Sequence, residues 1–174
     1  EGWQPIHFAC DKGHLEVVKW LAEQEGVSLT AEDNVGQQPI DLAIARRHLE
    51  VVKWLEAMRT RREEIRRACE KGNLEAIKSL ADQRDILLTA ANEDGQQPIH
   101  IACRGLKGEA TDANDQGHLE VVKWLAEQEG VTLAAKDNQG CQPIHLASGN
   151  GNIELVKWLA EQEGVILTAK DKTL

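Results

Sequence analysis

The chain has 174 residues, of which 41% are apolar and 28% are charged, and its formal net charge is −9. The apolar content is sufficient for a sizeable core, and the negative charge argues against general affinity for nucleic acid or anionic membrane. Because no run of about 18 apolar residues and no signal pattern is present, we expect no membrane segment and an intracellular, cytoplasmic protein with free thiols.

Two sequence blocks alternate along the chain. The first, Gly2-Trp-Gln-Pro-Ile-His-Phe-Ala-Cys10, recurs from Gly36, Gly95 and Gly140. The second, His14-Leu-Glu-Val-Val-Lys-Trp-Leu21, recurs from His48, His118 and Asn152, and degenerate copies of both begin at Ile65 and Asn73. A fixed period predicts a repeat architecture, with units of about 1–35, 36–61, 62–94, 95–139 and 140–174.

Each unit predicts two helices and a connector. Proline suits the first position of a helix, so the first block predicts a short helix that starts at Pro5 or its counterparts. A glycine then allows a turn with positive φ, at positions 13, 72, 117 and 151, and a second helix follows with Leu15, Val18 and Leu21 on one face. Because such a hairpin cannot bury its own apolar face, the units must stack into a single array over residues 1–174.

These blocks resemble the ankyrin repeat, whose signature is Thr-Pro-Leu-His-x-Ala followed by Gly-His-Leu-Glu-Val-Val. The resemblance covers nearly the whole chain and implies an all-α solenoid of about five helix-turn-helix units with β-hairpin-like turns. It also implies a non-catalytic scaffold that binds a partner protein, without a cofactor. Glutamine stands at the family's threonine position in Gln4, Gln38, Gln97 and Gln142. Because glutamine caps helices poorly, the threonine's local hydrogen bond is in question here.

The array departs from its period at two places. Leu49 to Leu74 is 25 residues where Leu15 to Leu49 is 34, so the nine residues of one connector are missing and we expect a gap in the row of hairpin fingers. Arg47 there replaces the inter-helix glycine, at a cost of about 1 kcal/mol if the position is left-handed. Residues 104–114 are an insertion in the fourth unit, predicted as a loop between its helices that is either tolerated or a contact loop.

The His-Cys pairs, His7 with Cys10 and His100 with Cys103, have a spacing that would allow metal ligation. Against a metal, other units replace these residues, and stacked units do not converge on one ion. No phosphate loop or nucleophile elbow is present, so we expect no catalytic residues and no metal. The tryptophans at 20, 54, 124 and 158 are expected to pack between repeats.

The resemblance also implies where a partner binds, namely the hairpin tips and the ends of the first helices on the concave face. These positions differ from unit to unit on a nearly constant framework. They are Trp3, Asp11, Lys12, Asn34, Val35, Gln37, Arg46, Glu70, Lys71, Glu93, Asp94, Gln96, Arg104, Asn138, Gln139, Cys141 and Asn150. Cys141, as a hairpin residue, is expected to be the most reactive thiol, and the uncapped ends at Trp3 and 167–174 are expected to fray or self-associate weakly.

Positive charge is concentrated between residues 46 and 67, where seven Arg and one Lys face four Glu. One interpretation is a solvated helix face with pairs such as Glu63 with Arg67. The alternative is a site for an acidic or phosphate-bearing partner, nucleic acid included, built on Arg46, Arg59, Arg62 and Arg66. A third hypothesis makes the chain a docking segment of a larger enzyme. A protein of unknown identity is the expected partner.

Overall fold

Nine α-helices and no strand form within residues 2–24, 26–81, 88–105 and 112–172, which are the residues that the computed structural model describes. The predicted all-α class is confirmed. In chain order the helices are α1 (Pro5–Lys12), α2 (Leu15–Ala22), α3 (Pro39–Ala45), α4 (Leu49–Glu70), α5 (Leu74–Ala81), α6 (Pro98–Arg104), α7 (Asp112–Ala126), α8 (Pro143–Asn150) and α9 (Ile153–Ala160). We call the connectors before α3, α6 and α8 fingers, with described residues 23–24 and 26–38, 88–97, and 127–142.

A histidine joins the start of each regular first helix to the segment that follows the second helix of the same repeat. In α1 the Nδ1 atom of His7 accepts the backbone N–H of Gln4 at 3.1 Å, so the proton lies on Nε2, which donates to the carbonyl of Ala31 at 3.0 Å. His100 and His145 make the same pair of contacts, with Ala135 and Ala169 as the carbonyl partners. These imidazoles therefore fix two fingers and the segment after α9 on the first helices.

The glutamines that precede these helices do not cap them with their side chains. The Oε1 atoms of Gln97 and Gln142 are buried and have no hydrogen-bond partner among the described residues. The N–H of His7 instead donates to the backbone carbonyl of Gln4 at 2.9 Å. The threonine-type side-chain cap is thus absent, as the substitution indicated.

The missing connector of the second unit is replaced by one continuous helix, the 22-residue α4. Asp41 stands there in place of the histidine, and its Oδ2 accepts the N–H of Gln38 at 2.9 Å. His7 and His145 each reach a carbonyl 24 residues ahead, but the residue 24 places after Asp41 is Ile65, inside α4. A histidine at position 41 would have no finger carbonyl to bind, whereas the carboxylate makes the capping contact.

The turn between the two helices of a unit is left-handed at Gly13 (φ 72°), Gly72 (φ 61°) and Gly151 (φ 80°). Arg47 adopts the same conformation at φ 60°, so the condition on which its strain cost depends is met. The prediction for Gly117 is wrong, since this residue lies inside α7. A Cβ atom at Gly117 would come within 2.9 Å of the Gly72 carbonyl oxygen, so close approach is the reason for glycine there.

The insertion of the fourth unit is not a loop throughout. The first helix ends at Arg104 and the second begins at Asp112, so the prediction of a loop is wrong for residues 112–114. Residues 106–111 lie outside the described part of the chain. The inserted segment therefore lengthens α7 at its N-terminal end.

The chain divides into two compact units, residues 1–61 and 62–174. The first has a core that includes Ile6, Cys10, Val18 and Val51. The second has a larger core that includes Ile77, Ile99, Val121, Leu125 and Leu155. No helix in the described ranges is long and apolar enough to cross a membrane.

Three of the four repeated tryptophans pack as predicted. Trp54 lies against the core of residues 1–61, and Trp124 and Trp158 lie against the core of residues 62–174. The prediction is wrong for Trp20, which is 58% exposed. Phe8 and Val17 are exposed as well, at 53% and 47%.

Candidate functional site

Each finger is closed by an Asx turn that presents its tip. In the first finger the Oδ1 atom of Asp33 accepts the N–H groups of Val35 and Gln37, both at 2.9 Å. Asn92 and Asp137 hold the other two fingers in the same way. Because one side chain satisfies two backbone donors, the tips have a defined backbone rather than a free loop.

The two fingers within residues 62–174 are also bonded to each other. The Nδ2 atom of Asn138 donates to the carbonyl of Glu93 at 2.8 Å, and its backbone N–H donates to the carbonyl of Asp94 at 2.9 Å. The N–H of Lys172 then donates to the carbonyl of Gln139 at 2.8 Å. The fingertips form a bonded row, so their exposed side chains keep fixed spacings.

A cleft of about 570 Å³ lies between this row and the ends of α6 and α8. Six of the predicted binding residues line it, namely Asp94, Gln96, Arg104, Asn138, Gln139 and Asn150. Asp137, His145, Leu146 and Gly149 line it as well and were not among the predictions. Asp137 and His145 were recognisable as turn and framework residues, but their framework role gave no signal that they also border a cleft.

Arg104, on the helix side of the cleft, is oriented by Glu70. Its Nη2 lies 3.9 Å from Glu70 Oε1, and the same carboxylate accepts a hydrogen bond from Arg66. The Nε2 of His118 donates to the Glu70 backbone carbonyl at 2.8 Å. Glu70 is thus an organising residue, whereas its neighbour Lys71 is exposed.

Within residues 1–61 some predicted binding residues are buried in ion pairs and others are exposed. Asp11 is 5% exposed and ion-paired with Arg46 Nε at 2.7 Å and Lys12 Nζ at 3.0 Å. Hydrogen bonds from Arg46 and then Lys12 hold the pKa of Asp11 below its usual range. This carboxylate is therefore occupied within the chain, although Arg46 and Lys12 themselves remain exposed.

The remaining candidates of the first unit lie at its finger. Trp3 donates from Nε1 to Asp33 Oδ2 at 2.9 Å and meets Phe8 edge to face at 5.0 Å between ring centroids. Asn34, Val35 and Gln37 are exposed on the fingertip. They remain available to a partner.

Cys141 is a buried thiol in the finger before α8. It is only 8% exposed, and its Sγ donates to Asp171 Oδ2 at 3.9 Å. Burial, followed by the charges of Asp137 and Asp171, raises the pKa of this thiol. The segment around Asp171 covers this thiol, which is nevertheless more exposed than Cys10, Cys69 and Cys103, so the ranking of Cys141 as the most reactive cysteine stays a prediction.

The other cysteines are buried free thiols. Burial raises the pKa of Cys10 and of Cys69 to about 12 and raises the pKa of Cys103 as well. Their histidine neighbours at 7 and 100 are bonded to backbone groups, as described above. Within the described ranges no three His, Cys, Asp or Glu side chains form a group suited to a metal ion.

The arginine cluster is largely engaged within the chain. Arg66 and Arg67 pair with Glu63, and Arg66 also pairs with Glu70. Hydrogen bonding to Arg66 lowers the pKa of Glu63 to about 2. Arg62 has a buried Nε without a partner among the described residues, and burial lowers its pKa. Of the four arginines in the acidic-partner hypothesis, Arg59 is the one that is exposed and lies in no ion pair described above.

The repeated helix pairs, the histidine-tied fingers and the bonded row of tips define a helical tandem-repeat protein. A family model described as ankyrin repeats (3 copies) matches residues 1–61 and 66–171. The chain therefore belongs to the ankyrin-repeat family. Ankyrin repeats are in general protein–protein interaction modules, and proteins built from them are typically non-catalytic. A comparison with curated proteins gives no match.

Proposed function

We propose that this chain is a protein-interaction scaffold whose main binding surface is the cleft between the fingertips and the ends of α6 and α8. The observation that carries the proposal is the convergence of six fingertip and helix-end residues from positions 94 to 150 on one cleft. Polar groups at the rim of a preformed concavity are typical of recognition sites.

The rigidity of the surface supports the same function. The Asx turns and the contacts of Asn138 with Glu93 and Asp94, all made within the chain, hold the tips. A surface ordered before binding loses less conformational entropy when a partner docks. The variable residues can therefore contribute their contacts at a low ordering cost.

The test uses the full chain, immobilised, to capture proteins from a lysate of its source, with identification by mass spectrometry. The cleft variant is Gln139→Ala with Asn150→Ala, two exposed lining residues. The control variant is Glu127→Ala with Glu161→Ala, exposed residues just after the second helices α7 and α9. We expect captured partners to bind the cleft variant about tenfold more weakly and the control normally. Equal retention by the cleft variant overturns the proposed surface.

An Arg59→Ala variant in the same assay addresses the acidic-partner alternative. Binding to exposed arginine falls steeply as salt rises, because ions screen such contacts. A captured partner lost by Arg59→Ala and at raised salt, yet retained by the cleft variant, would favour the arginine cluster instead.

A further inference from the structure

One residue that lines the cleft carries a hydrogen-bond acceptor that the described residues leave unused. Gln96 lines the cleft and is 8% exposed, and its Oε1 is buried without a partner. Its Nε2 donates to Asp137 Oδ2 at 3.4 Å. A carboxylate oxygen can only accept, so the orientation of the Gln96 amide is fixed and Oε1 is the atom left over. A buried acceptor without a donor is costly, and a ligand that donates to it gains that energy.

Negative charge lies on the fingertip side of this cleft. The fingertip side of the cleft carries the carboxylates of Asp94 and Asp137, whereas the lining residue Arg104 lies near Glu70 on the helix side. Asp137 already accepts backbone N–H groups from Gln139 and Cys141. Asp94 is exposed at the rim, and none of the ion pairs in the described part of the chain involves its carboxylate. Donors with positive charge suit such a wall better than neutral ones.

We infer that the cleft receives a lysine or arginine side chain of the bound partner, with its N–H groups on Gln96 Oε1 and the Asp94 carboxylate. The inference rests on the proposed function and specifies its partner, a protein segment that presents a basic residue. A volume of about 570 Å³ is within the range of sites that enclose a side chain with its flanking backbone. The net charge of −9 attracts such a segment from a distance.

The experiment is an NMR titration of the full chain, labelled with nitrogen-15, with Nα-acetyl-arginine amide and Nα-acetyl-lysine amide. Nα-acetyl-glutamine amide is the neutral control. We expect saturable shifts of the Gln96 side-chain amide and of the Asn138 and Gln139 backbone amides with the cationic probes only. Equal shifts with the neutral probe, or no shift with any probe, overturn the inference.

Two variants with a matched control separate the specific contact from general charge. Asp94→Asn removes the rim carboxylate and should weaken the cationic probes about fivefold. Glu93→Gln removes the same charge one residue away, outside the cleft lining, and should change binding little. Gln96→Met removes the acceptor and should abolish the shifts of the Asn138 and Gln139 backbone amides. If Gln96→Met is poorly folded, the Asp94→Asn variant alone tests the contact. Equal weakening by Glu93→Gln and Asp94→Asn contradicts the proposed contact.

The same variants distinguish this inference from the proposed function. A captured partner that is lost by the Gln139 and Asn150 variant but binds Asp94→Asn and Gln96→Met normally leaves the scaffold proposal standing. That result contradicts the inference that the cleft receives a basic side chain.

Discussion

Arg47 adopts a left-handed backbone conformation, which is unfavourable for a residue other than glycine. It holds φ 60° at a turn where the other repeats place glycine at Gly13, Gly72 and Gly151. We expect Arg47→Gly to raise the free energy of unfolding of residues 1–61 by about 1 kcal/mol, because glycine adopts this conformation without strain. Urea unfolding measures the change.

The same substitution elsewhere provides the control. Arg59 lies within α4 in helical conformation, so Arg59→Gly should lower stability by about 1 kcal/mol. Should Arg47→Gly also destabilise, the side chain of Arg47 would be contributing more than its conformation costs.

His100 makes stability depend on pH. Burial is the main cause that lowers its pKa below the ordinary value of 6.5. The unfolded chain therefore binds the proton more readily, and the stability that this residue allows at neutral pH is lost as the pH falls below 6.5. We expect urea midpoints to fall between pH 7.5 and pH 5.5.

The assignment to His100 requires a comparison of slopes. His100→Gln should be less stable than the parent chain at every pH in this range. Its urea midpoint should, however, fall less than that of the parent when the pH is lowered. Parallel slopes for His100→Gln and the parent would assign the effect to other groups.

At the scale of elements, the continuity of α4 is testable by proline. Thr60 is exposed in the middle of this helix, and its hydroxyl donates to the Glu56 carbonyl at 3.0 Å. Thr60→Pro should cost about 3 kcal/mol and reduce the helical circular dichroism signal, because proline cannot continue a helix. Thr60→Ala is the matched control, with little effect expected. Tolerance of proline would mean that this segment is a connector.

The first helices are open to improvement at their caps. Gln97 precedes α6 with a buried Oε1 that has no partner in the described residues, and its side chain does not cap the helix. Gln97→Thr should place a hydroxyl where it accepts the His100 N–H and should raise stability by about 1 kcal/mol. Thermal unfolding of Gln97→Thr beside Gln97→Ala separates the new cap from the loss of the unpaired oxygen. If both variants behave alike, no cap forms.

The sequence predicted these elements because their signals are local. Pro5 and its counterparts mark where first helices begin, and the spacing of Leu15, Val18 and Leu21 defines a second helix. The extension of α7 back to Asp112 was not predicted, because the residues before Gly117 resemble a loop in composition.

The candidate site was predictable only as a set of positions. Asp94, Asn138 and Gln139 follow from the place of fingertips in the repeat, but their convergence with Arg104 and Asn150 depends on stacking. The burial of Asp11 depends on Arg46, 35 residues later, and the burial of Cys141 on the segment around Asp171. Such contacts between distant residues leave no local pattern.

At the scale of the whole molecule, the first repeat exposes apolar positions that later repeats bury. Val17 is 47% exposed, whereas its counterparts Val51, Val121 and Leu155 are at most 1% exposed. At the other end Leu167 is 69% exposed, but its counterpart Leu29 is 6% exposed. We expect the two faces to stack head to tail between copies, so the sedimentation mass should rise with concentration.

A matched pair of valines tests this association. Val17→Lys places a charge on the stacking face and should keep the chain monomeric. Val35→Lys makes the same change at a fingertip that is 77% exposed, and it should not alter the association. A parent chain that sediments as a monomer at all concentrations contradicts the prediction.

The placement of the tryptophans gives the molecule its own optical reporters. The chain contains no tyrosine, so its near-ultraviolet emission comes from five indoles. Trp54 lies against the core of residues 1–61, and Trp124 and Trp158 lie against the core of residues 62–174. When Trp124 and Trp158 are replaced by phenylalanine, emission comes from residues 1–61 alone. When Trp3, Trp20 and Trp54 are replaced instead, emission comes from residues 62–174 alone. Fluorescence can thus follow the melting of each half without an attached dye.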